Sequence, residues 1–400
     1  MKNWSFPLIL ILSIFAGGLT GYLMGKDAVI LKPLGDIFLN LLFVAVVPLI
    51  FFAISSAVAH LGNAKKLLNV IISMFAVFIF TGIIASIYML VVVKLFPPAQ
   101  GFMLKPESLA NIEPVNIANQ IVSMISVADF TQLFSHKNIM PLIIFSLLVG
   151  LATASAGENG KAFASFLKSG TEVFMKVITY IMYYAPIGFF AYFAVLTGDI
   201  GPKLISTYFR IIIIYYSSAT IYFILAFTFY AWLGGGANKI KLFWKNVFVP
   251  MLTAFATCSS AASIPANLQA TRNMKVNNDI VETVIPLGAI LHKDGSVLGA
   301  IVKISFLFGI YGMNFSSPTI ILTAILVALL VGTVMGAFPS GGMLGEMLIL
   351  SFYGFPVEAL LVIAAISLLI DPLATMLNVT GDSVSAMMVE RLTKRKIQDG

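Results

Sequence analysis

The stretch IPLGAILHKDGSVLGAIVKISFLFGIYGM, residues 285–313, places His292, Lys293 and Asp294 inside an otherwise mostly apolar run. An ionisable side chain at mid-bilayer depth costs about 2.5–3.5 kcal/mol on insertion scales, so it persists only where it faces a cavity, a partner or a substrate. Gly295 weakens a helix at this point, which would free backbone carbonyls to act as ligands. The simpler alternative is an ion pair that locks two helices together. Because three adjacent side chains point in different directions around a helix, one structural partner cannot serve them all. The stretch therefore predicts a binding site inside a membrane.

The composition is that of a membrane protein with several spans. The 400 residues are 59% hydrophobic and 10% charged, with a mean hydropathy of +0.99. Soluble domains contain about 25% charged residues. The apolar spans lie too close together for independent soluble domains, so we predict one transmembrane domain over residues 1–400. The net charge of +7 comes mainly from short basic connectors, which is typical of cytoplasmic loops and not of a nucleic-acid surface.

Cysteine and histidine usage argues against metal or disulfide chemistry. Cys258 is the sole cysteine, which excludes a disulfide within the chain and a site built from several thiols. His60, His136 and His292 have no metal-ligand spacing. We expect no cofactor. The sequence contains no recognisable nucleophile–base pair, so an enzyme is not indicated.

The first part of the chain contains the apolar runs expected of membrane helices, which need about 20 residues each. The run from Phe6 to Met24 lacks a cleavage site after it and is interpreted as the first helix. The segment 97–137 is more polar and is predicted to be a long connector. Basic connectors and both termini fall on one side, predicted to be the cytoplasmic side of the inner (plasma) membrane. The six predicted spans are roughly 5–25, 35–60, 67–96, 138–156, 171–198 and 205–233.

The second part predicts two helical hairpins that enter and leave the membrane on one side. Residues 245–277 and 319–353 each contain two short apolar pieces around a tip of small residues. Each hairpin precedes a long apolar helix that polar residues are predicted to break, 282–313 and 357–391. Two such units in tandem are typical of an inverted-repeat transporter. The alternative is that these are two unusual helices that merely tolerate glycine and proline. That alternative would not explain why a hairpin followed by a long helix occurs twice.

The last helix carries a polar stripe. Asp371, Thr375, Asn378 and Asp382 are spaced by four, three and four residues, so they stack on one helix face. We interpret the stripe as a row of ligands: Asp371 for an ammonium group, Asn378 for a carboxylate and Asp382 for a cation. Gly381 is predicted to open the backbone beside them. The alternative role, hydrogen bonding between helices, stabilises a membrane protein by about 0.6 kcal/mol per bond. That gain is too small to offset the cost of burying two carboxylates.

The hairpin tips are predicted to bind an anion. A half-helix N-terminus exposes unpaired N–H groups and the positive end of the helix dipole. Ser259 and Ser260 lie at such a junction and can add hydroxyl groups.

These motifs resemble the dicarboxylate/amino acid:cation symporters, the glutamate-transporter family. The matching runs are YAPIGFFA (184–191), SSAASIP (259–265), VIPLGAILHKDGS (284–296), AFPSGG (337–342) and LNVTGDS (377–383). The resemblance implies an all-α polytopic fold with eight transmembrane helices and two re-entrant hairpins. It also implies a trimer and an elevator motion, with a scaffold at about 1–66 and 138–204 and a transport core at about 67–96 and 205–392.

The resemblance also assigns roles to residues. Ser260 and the first tip match the binders of the substrate carboxylate, Asp371 the amino-group ligand, and Thr375 and Asn378 its neighbours. Gly288, Asn378 and Asp382 match one sodium site, and Asp294 with Thr81 matches part of another, so Asp294 and Asp382 are the expected metal ligands.

Several positions depart from the family pattern. His292-Lys293-Asp294-Gly295-Ser296 stands where the family has Asn-Met-Asp-Gly-Thr, so an amide and a thioether have become titratable nitrogen groups. Phe78 and Gly82 replace a tyrosine and a serine of the deep sodium site, and Met335 replaces a threonine near the second hairpin. Ala374 replaces the arginine that clamps the side-chain carboxylate of acidic substrates.

From these departures we predict a symporter for a small neutral amino acid that is coupled to a cation gradient. We favour a proton as the coupling ion, with sodium as the alternative. His292 or Lys293 would carry the proton. The alternatives are a dicarboxylate or acidic amino acid symporter, in which Lys293 supplies the missing positive charge, and an anion channel lined by Lys293. A membrane enzyme ranks last.

Overall fold

The computed structural model describes residues 5–59, 68–99, 125–135, 138–200, 203–334 and 341–398. These residues form helices and contain no strand. The α-helices of at least ten residues are α1 (Ser5–Met24), α2 (Lys32–Ala59), α3 (Leu68–Leu95), α4 (Ile139–Ser155), α5 (Lys161–Ile200), α6 (Lys203–Gly235), α7 (Ala237–Asn246), α8 (Phe248–Thr257), α9 (Ser260–Asn273), α10 (Asn278–Leu291), α11 (Asp294–Ile310), α12 (Pro318–Val334), α13 (Gly341–Tyr353) and α14 (Ala359–Gln398).

Long and short apolar helices both occur, as the sequence predicts. Within the described part of the chain, five segments are long and apolar enough to cross a bilayer: Leu12–Leu41, Val70–Leu95, Gly157–Gly198, Ser206–Gly235 and Ala359–Thr393. Shorter apolar helices include Phe248–Thr257, Pro318–Thr333 and Gly342–Tyr353, which belong to the two predicted hairpins. The number of eight membrane helices stays a prediction.

The chain divides into two compact units. The first contains the described residues of Met1–Ala64, Lys105–Ser206 and Glu346–Ala365, and the second those of Lys65–Leu104, Thr207–Gly345 and Ile366–Gly400. The assignment of a scaffold and a transport core stays a prediction. Residues 346–365 lie in the first unit, whereas the predicted transport core included them.

Within the first unit, two glycines let α1 approach α5 closely. A Cβ atom at Gly17 would lie 2.2 Å from the carbonyl oxygen of Phe190, and one at Gly21 would lie 2.0 Å from that of Ala194. Small residues spaced by four on a membrane helix allow backbones to touch, and van der Waals packing then holds the pair. Neither position has space for a side chain.

Within the second unit, α8 and α9 are joined by Cys258 and Ser259. Cys258 adopts the left-handed conformation (φ 49°) that ends α8, and the Ser259 hydroxyl caps α9 by accepting from the N–H of Ala262 at 3.2 Å. The two short helices agree with the predicted first hairpin. The tip of the second hairpin was predicted at 337–342, and residues 335–340 of that region, with Met335, lie outside the described residues.

One of the two predicted helix breaks is present. The chain leaves the helix between α10 and α11, at His292 and Lys293, whereas α14 is continuous from Ala359 to Gln398. The prediction that Gly381 opens the last helix is therefore wrong. A Cβ at Gly381 would lie 3.2 Å from His292 Cε1 and 3.3 Å from Phe227 Cζ, so this glycine provides space for neighbouring rings.

We expect Gly21→Ala to lower the thermal midpoint of the purified protein, because the added methyl overlaps a backbone atom that cannot move aside. Overpacking of this kind costs about 1–3 kcal/mol. Gly18→Ala is the matched control, since a Cβ there would meet only Thr197 Oγ1 at 3.6 Å. Thermal unfolding in detergent checks the pair, and equal midpoints for both variants would contradict the packing.

Candidate functional site

The site is built around the break between α10 and α11, and all the side chains described below belong to the second unit. The N–H of His292 makes the last helical bond of α10, to the carbonyl of Gly288 at 2.9 Å. Helix α11 resumes at Asp294. Gly295 lies inside α11, not in the break, which corrects the expectation that it loosens the helix. A Cβ at Gly295 would lie 2.3 Å from the carbonyl oxygen of Ala374, so glycine is needed for α14 to approach.

Asn378 of α14 caps the restarted helix. Its Oδ1 accepts from the N–H groups of Gly295 at 2.9 Å and Ser296 at 3.2 Å, and its Nδ2 donates to Ser296 Oγ at 3.1 Å. The first N–H groups of a helix have no partner within it, so an amide oxygen at this place satisfies two of them. Asn378 is 4% exposed, and in this arrangement its oxygen holds the backbone.

The imidazole ring of His292 lies between the two carboxylates predicted to bind cations. Its Nδ1 is 3.0 Å from Asp382 Oδ1, and its Nε2 is 3.2 Å from Asp294 Oδ1. His292, Asp294 and Asp382 are each at most 2% exposed. Among the described residues, Oδ2 of Asp382 and Oδ1 of Asp294 have no hydrogen bond of good geometry, so the Asp294 contact is an electrostatic one.

Thr81 of α3 completes the surroundings of the ring. Its Oγ1 lies 2.8 Å from His292 Nε2 and donates to the carbonyl of Phe78 at 3.3 Å. An ionised carboxylate can only accept, so Nδ1 carries a proton when Asp382 is ionised. The Thr81 hydroxyl can accept from an Nε2–H or donate to an Nε2 without a proton, so its 2.8 Å contact with the ring is satisfied in either protonation state.

Two further residues shape the space around this ring. The ring of Phe78 stacks on it, with centroids 4.4 Å apart and planes 16° apart. A Cβ at Gly288 would lie 2.4 Å from Asp382 Oδ1, so the glycine makes room for the carboxylate. Gly82 faces elsewhere, because a Cβ there would lie 2.5 Å from Leu329 Cδ2.

Lys293 points its ammonium group at the tip of the first hairpin. Its Nζ donates to Ser260 Oγ at 2.9 Å and to the carbonyl of Ala289 at 2.8 Å. That carbonyl is one that the break in the helix leaves without its usual partner, and a cation suits a helix C-terminus. These are its two hydrogen-bond partners within the described residues, and a lysine has three N–H groups, so one N–H makes no hydrogen bond to them. Lys293 is 5% exposed.

The remaining predicted substrate residues lie on α14 and at the hairpin tip. Thr375 donates to Asp371 Oδ1 at 3.0 Å, which orients that carboxylate. Ala374 is buried and presents only a methyl group. The Ser259 hydroxyl accepts from the N–H of Ala262 as the cap of α9, and the predicted role of Ser259 in substrate binding stays a prediction.

Sequence reasoning missed the tyrosines on α6. Tyr222 donates to Asp294 Oδ2 at 3.4 Å, and its hydroxyl is 2.9 Å from that of Tyr230. Both rings are almost fully buried. Their spacing of eight residues places them on one helix face, but nothing in the sequence connects that face to Asp294.

A buried charged cluster at a helix break, beside the N-terminus of a short helix, is the arrangement of a secondary transporter in an apolar helical membrane protein. The chain belongs to the sodium:dicarboxylate symporter family, whose model matches residues 6–392. The protein is therefore a multi-pass membrane symporter and not an enzyme.

Similarity to individual relatives extends over nearly the whole chain. It is 28% identical to the proton/sodium-glutamate symport protein of Bacillus caldotenax, over 97% of this chain and 93% of the relative. It is 24% identical to the proton/glutamate-aspartate symporter of Bacillus subtilis (98% and 95% covered). It is also 24% identical to the C4-dicarboxylate transport protein of that organism (92% and 88% covered).

We expect Asn378→Ala to destabilise the protein even without substrate, because it leaves two buried N–H groups of α11 without a partner. Loss of a helix cap costs about 0.5–2 kcal/mol, and buried orphan groups add to it. Ser385→Ala is the control on the same helix, since among the described residues the buried Ser385 hydroxyl has no hydrogen-bond partner. Thermal midpoints that fall equally, or not at all, would argue against the capping role.

Proposed function

We propose that this protein imports a small neutral amino acid by symport with a cation, and that the cation is a proton. The observation that carries the proposal is the His292 ring between the carboxylates of Asp294 and Asp382. Symport with a cation follows from the family, whereas the substrate and the ion are inferred from this chain's own residues.

The proposed coupling ion follows from how the oxygen ligands are used. Sodium requires several oxygen atoms around it, as hard cations do. The carbonyl of Gly288 accepts from His292, and Asn378 Oδ1 accepts from two N–H groups. A positively charged ring between the carboxylates repels a metal cation and neutralises the charges that the cation would balance. We therefore propose that His292 or Lys293 carries a proton in place of at least one sodium ion, so that Thr81, Gly288, Asp294 and Asp382 serve that ring instead of a metal.

The proposed substrate follows from the charges around the hairpin tip. The free N–H of Lys293, the Ser260 hydroxyl and the first N–H groups of α9 suit a carboxylate. Asp371, oriented by Thr375, suits an ammonium group. These two groups define an α-amino acid, and Ala374 offers nothing to a second carboxylate.

A second candidate is a dicarboxylate or acidic amino acid. The single observation that favours it is the buried ammonium of Lys293 with its unused donor, which could hold a side-chain carboxylate in place of the missing arginine. Relatives named for glutamate, aspartate and C4-dicarboxylate transport make this candidate the main rival.

The setting of the activity is also a proposal. We place the protein in the inner (plasma) membrane with both termini in the cytoplasm, as a homotrimer without a cofactor. In it, a transport core carrying the α10–α11 break moves like an elevator against a scaffold.

The coupling ion is tested by uptake into proteoliposomes with sodium and pH gradients imposed separately. We expect the pH gradient to drive uptake and the sodium gradient not to. The double variant His292→Asn, Lys293→Met should gain sodium dependence, whereas Lys245→Gln, an exposed site outside the cluster, should not. Wild-type uptake that follows the sodium gradient alone and ignores the pH gradient would refute the proton assignment.

The substrate class is tested by ligand-induced thermal stabilisation. We expect serine, alanine or threonine to bind roughly a hundredfold more tightly than glutamate, because burying an unpaired carboxylate costs several kcal/mol. Ala374→Arg should shift the preference towards acidic substrates, and Ala374→Gln, of similar length but uncharged, should not. Tight binding of aspartate or succinate by the wild type, with no response to neutral amino acids, would favour the second candidate.

The amino-group ligand is tested by Asp371→Asn. We expect the amino acid affinity to fall by roughly 2–5 kcal/mol, as for one partner of a buried charge pair. Asp279→Asn, at an exposed position on α10, is the control. Unchanged affinity in Asp371→Asn would remove this residue from the site and indicate a substrate without an amino group.

A further inference from the structure

A cavity of about 470 Å³ lies among α3, α6 and α14, and its described lining residues are not those of the candidate site above. It is formed where α3 begins and where α6 ends, close to the C-terminal end of α14. Its size is within the range of small-molecule pockets, about 300–1,000 Å³. The lining residues that matter here are Ala76, Val77, Phe80, Trp232, Met388 and Arg391.

Most of the lining is apolar. Val77 and Met388 are buried and form its base, whereas Phe80 and Trp232 are 42% and 51% exposed and form its edge. The indole of Trp232 stacks on Phe229, with ring centroids 6.0 Å apart. An apolar slot bordered by a tryptophan is typical of a membrane boundary, where that side chain concentrates.

Among the described residues of the lining, Arg391 is the one that carries a charge. Its Nη1 donates to the carbonyl of Leu233 at 2.8 Å, which fixes the guanidinium at the end of α6. A guanidinium carries five N–H groups, and this is the one bond that the structure gives it to other described residues. The remaining donors are placed to bind an anion with more than one oxygen. Basic residues follow in the sequence, with Lys394, Arg395 and Lys396 directly after α14 passes the cavity.

We propose that this cavity binds an anionic phospholipid, with an acyl chain along the apolar base and the phosphate on Arg391. Charge complementarity decides the occupant, because a neutral lipid would not use the guanidinium and a soluble anion would not use the slot. Basic pockets between membrane helices bind anionic head groups in this way. The lipid would join α3, which carries Thr81, to α14, which carries Asp382. The inference does not depend on which substrate or ion is transported.

The test uses tryptophan quenching by brominated lipids in nanodiscs. The chain has three tryptophans, so Trp4→Phe with Trp244→Phe leaves Trp232 as the reporter. We expect brominated phosphatidylglycerol to quench Trp232 at a roughly fivefold lower mole fraction than brominated phosphatidylcholine does, as for one arginine–phosphate contact at a membrane surface. In this background Arg391→Gln should abolish the preference, and Lys245→Gln, a basic residue outside the lining, should keep it.

A second variant separates the slot from the charge. Ala76→Phe fills the cavity from an exposed position and leaves Arg391 in place, so it should weaken phosphatidylglycerol binding in a protein that still folds. Equal quenching by the two lipids, or a preference that survives Arg391→Gln, would overturn the proposal. So would loss of the preference on adding glycerol phosphate, which would indicate a free anion, or absence of quenching by either lipid, which would indicate that protein covers the cavity.

Discussion

The contact of one imidazole ring with two buried carboxylates is the constraint on which the rest of the site depends. Two unit charges 4 Å apart interact by about 4 kcal/mol at an effective dielectric constant of 20, and removing a carboxylate from water costs several kcal/mol. Asp294 and Asp382 are almost fully buried, so they need a positive neighbour to stay ionised. The neighbouring residues serve this contact: Phe78 stacks on the ring, and Gly288 makes room for the Asp382 carboxylate.

The same helix break places the substrate groups. Lys293 adjoins His292 in the chain and leaves the break in another direction, towards Ser260 at the hairpin tip. Asn378 fixes the start of α11 and thereby the position of both side chains. In the proposed mechanism, the substrate carboxylate binds Lys293 and the transported proton is held by His292. Because these residues are adjacent in the chain, substrate binding and protonation can influence each other directly.

Much of this arrangement could be predicted from the sequence, because apolar runs define the helices and buried charges identify the site. The predicted opening of α14 failed because Gly381 provides space for neighbouring rings. Sequence reasoning also missed two structural uses of polar residues, since Ser259 caps α9 and Asn378 caps α11. Such uses depend on which helix packs against the residue and how closely it approaches. A single sequence does not contain the distance between two helices. Tyr222 was missed for the same reason, since its helix is rich in aromatic residues throughout.

The most direct test of this account is to look for a metal cation between Asp294 and Asp382. Crystals grown in sodium and soaked in thallium, a monovalent cation with strong anomalous scattering, would reveal any such site. The account predicts no anomalous peak between the two carboxylates, with the His292 ring in contact with both. A peak within coordination distance of Asp382, with the ring displaced, would contradict the claim that an imidazole takes the place of the cation.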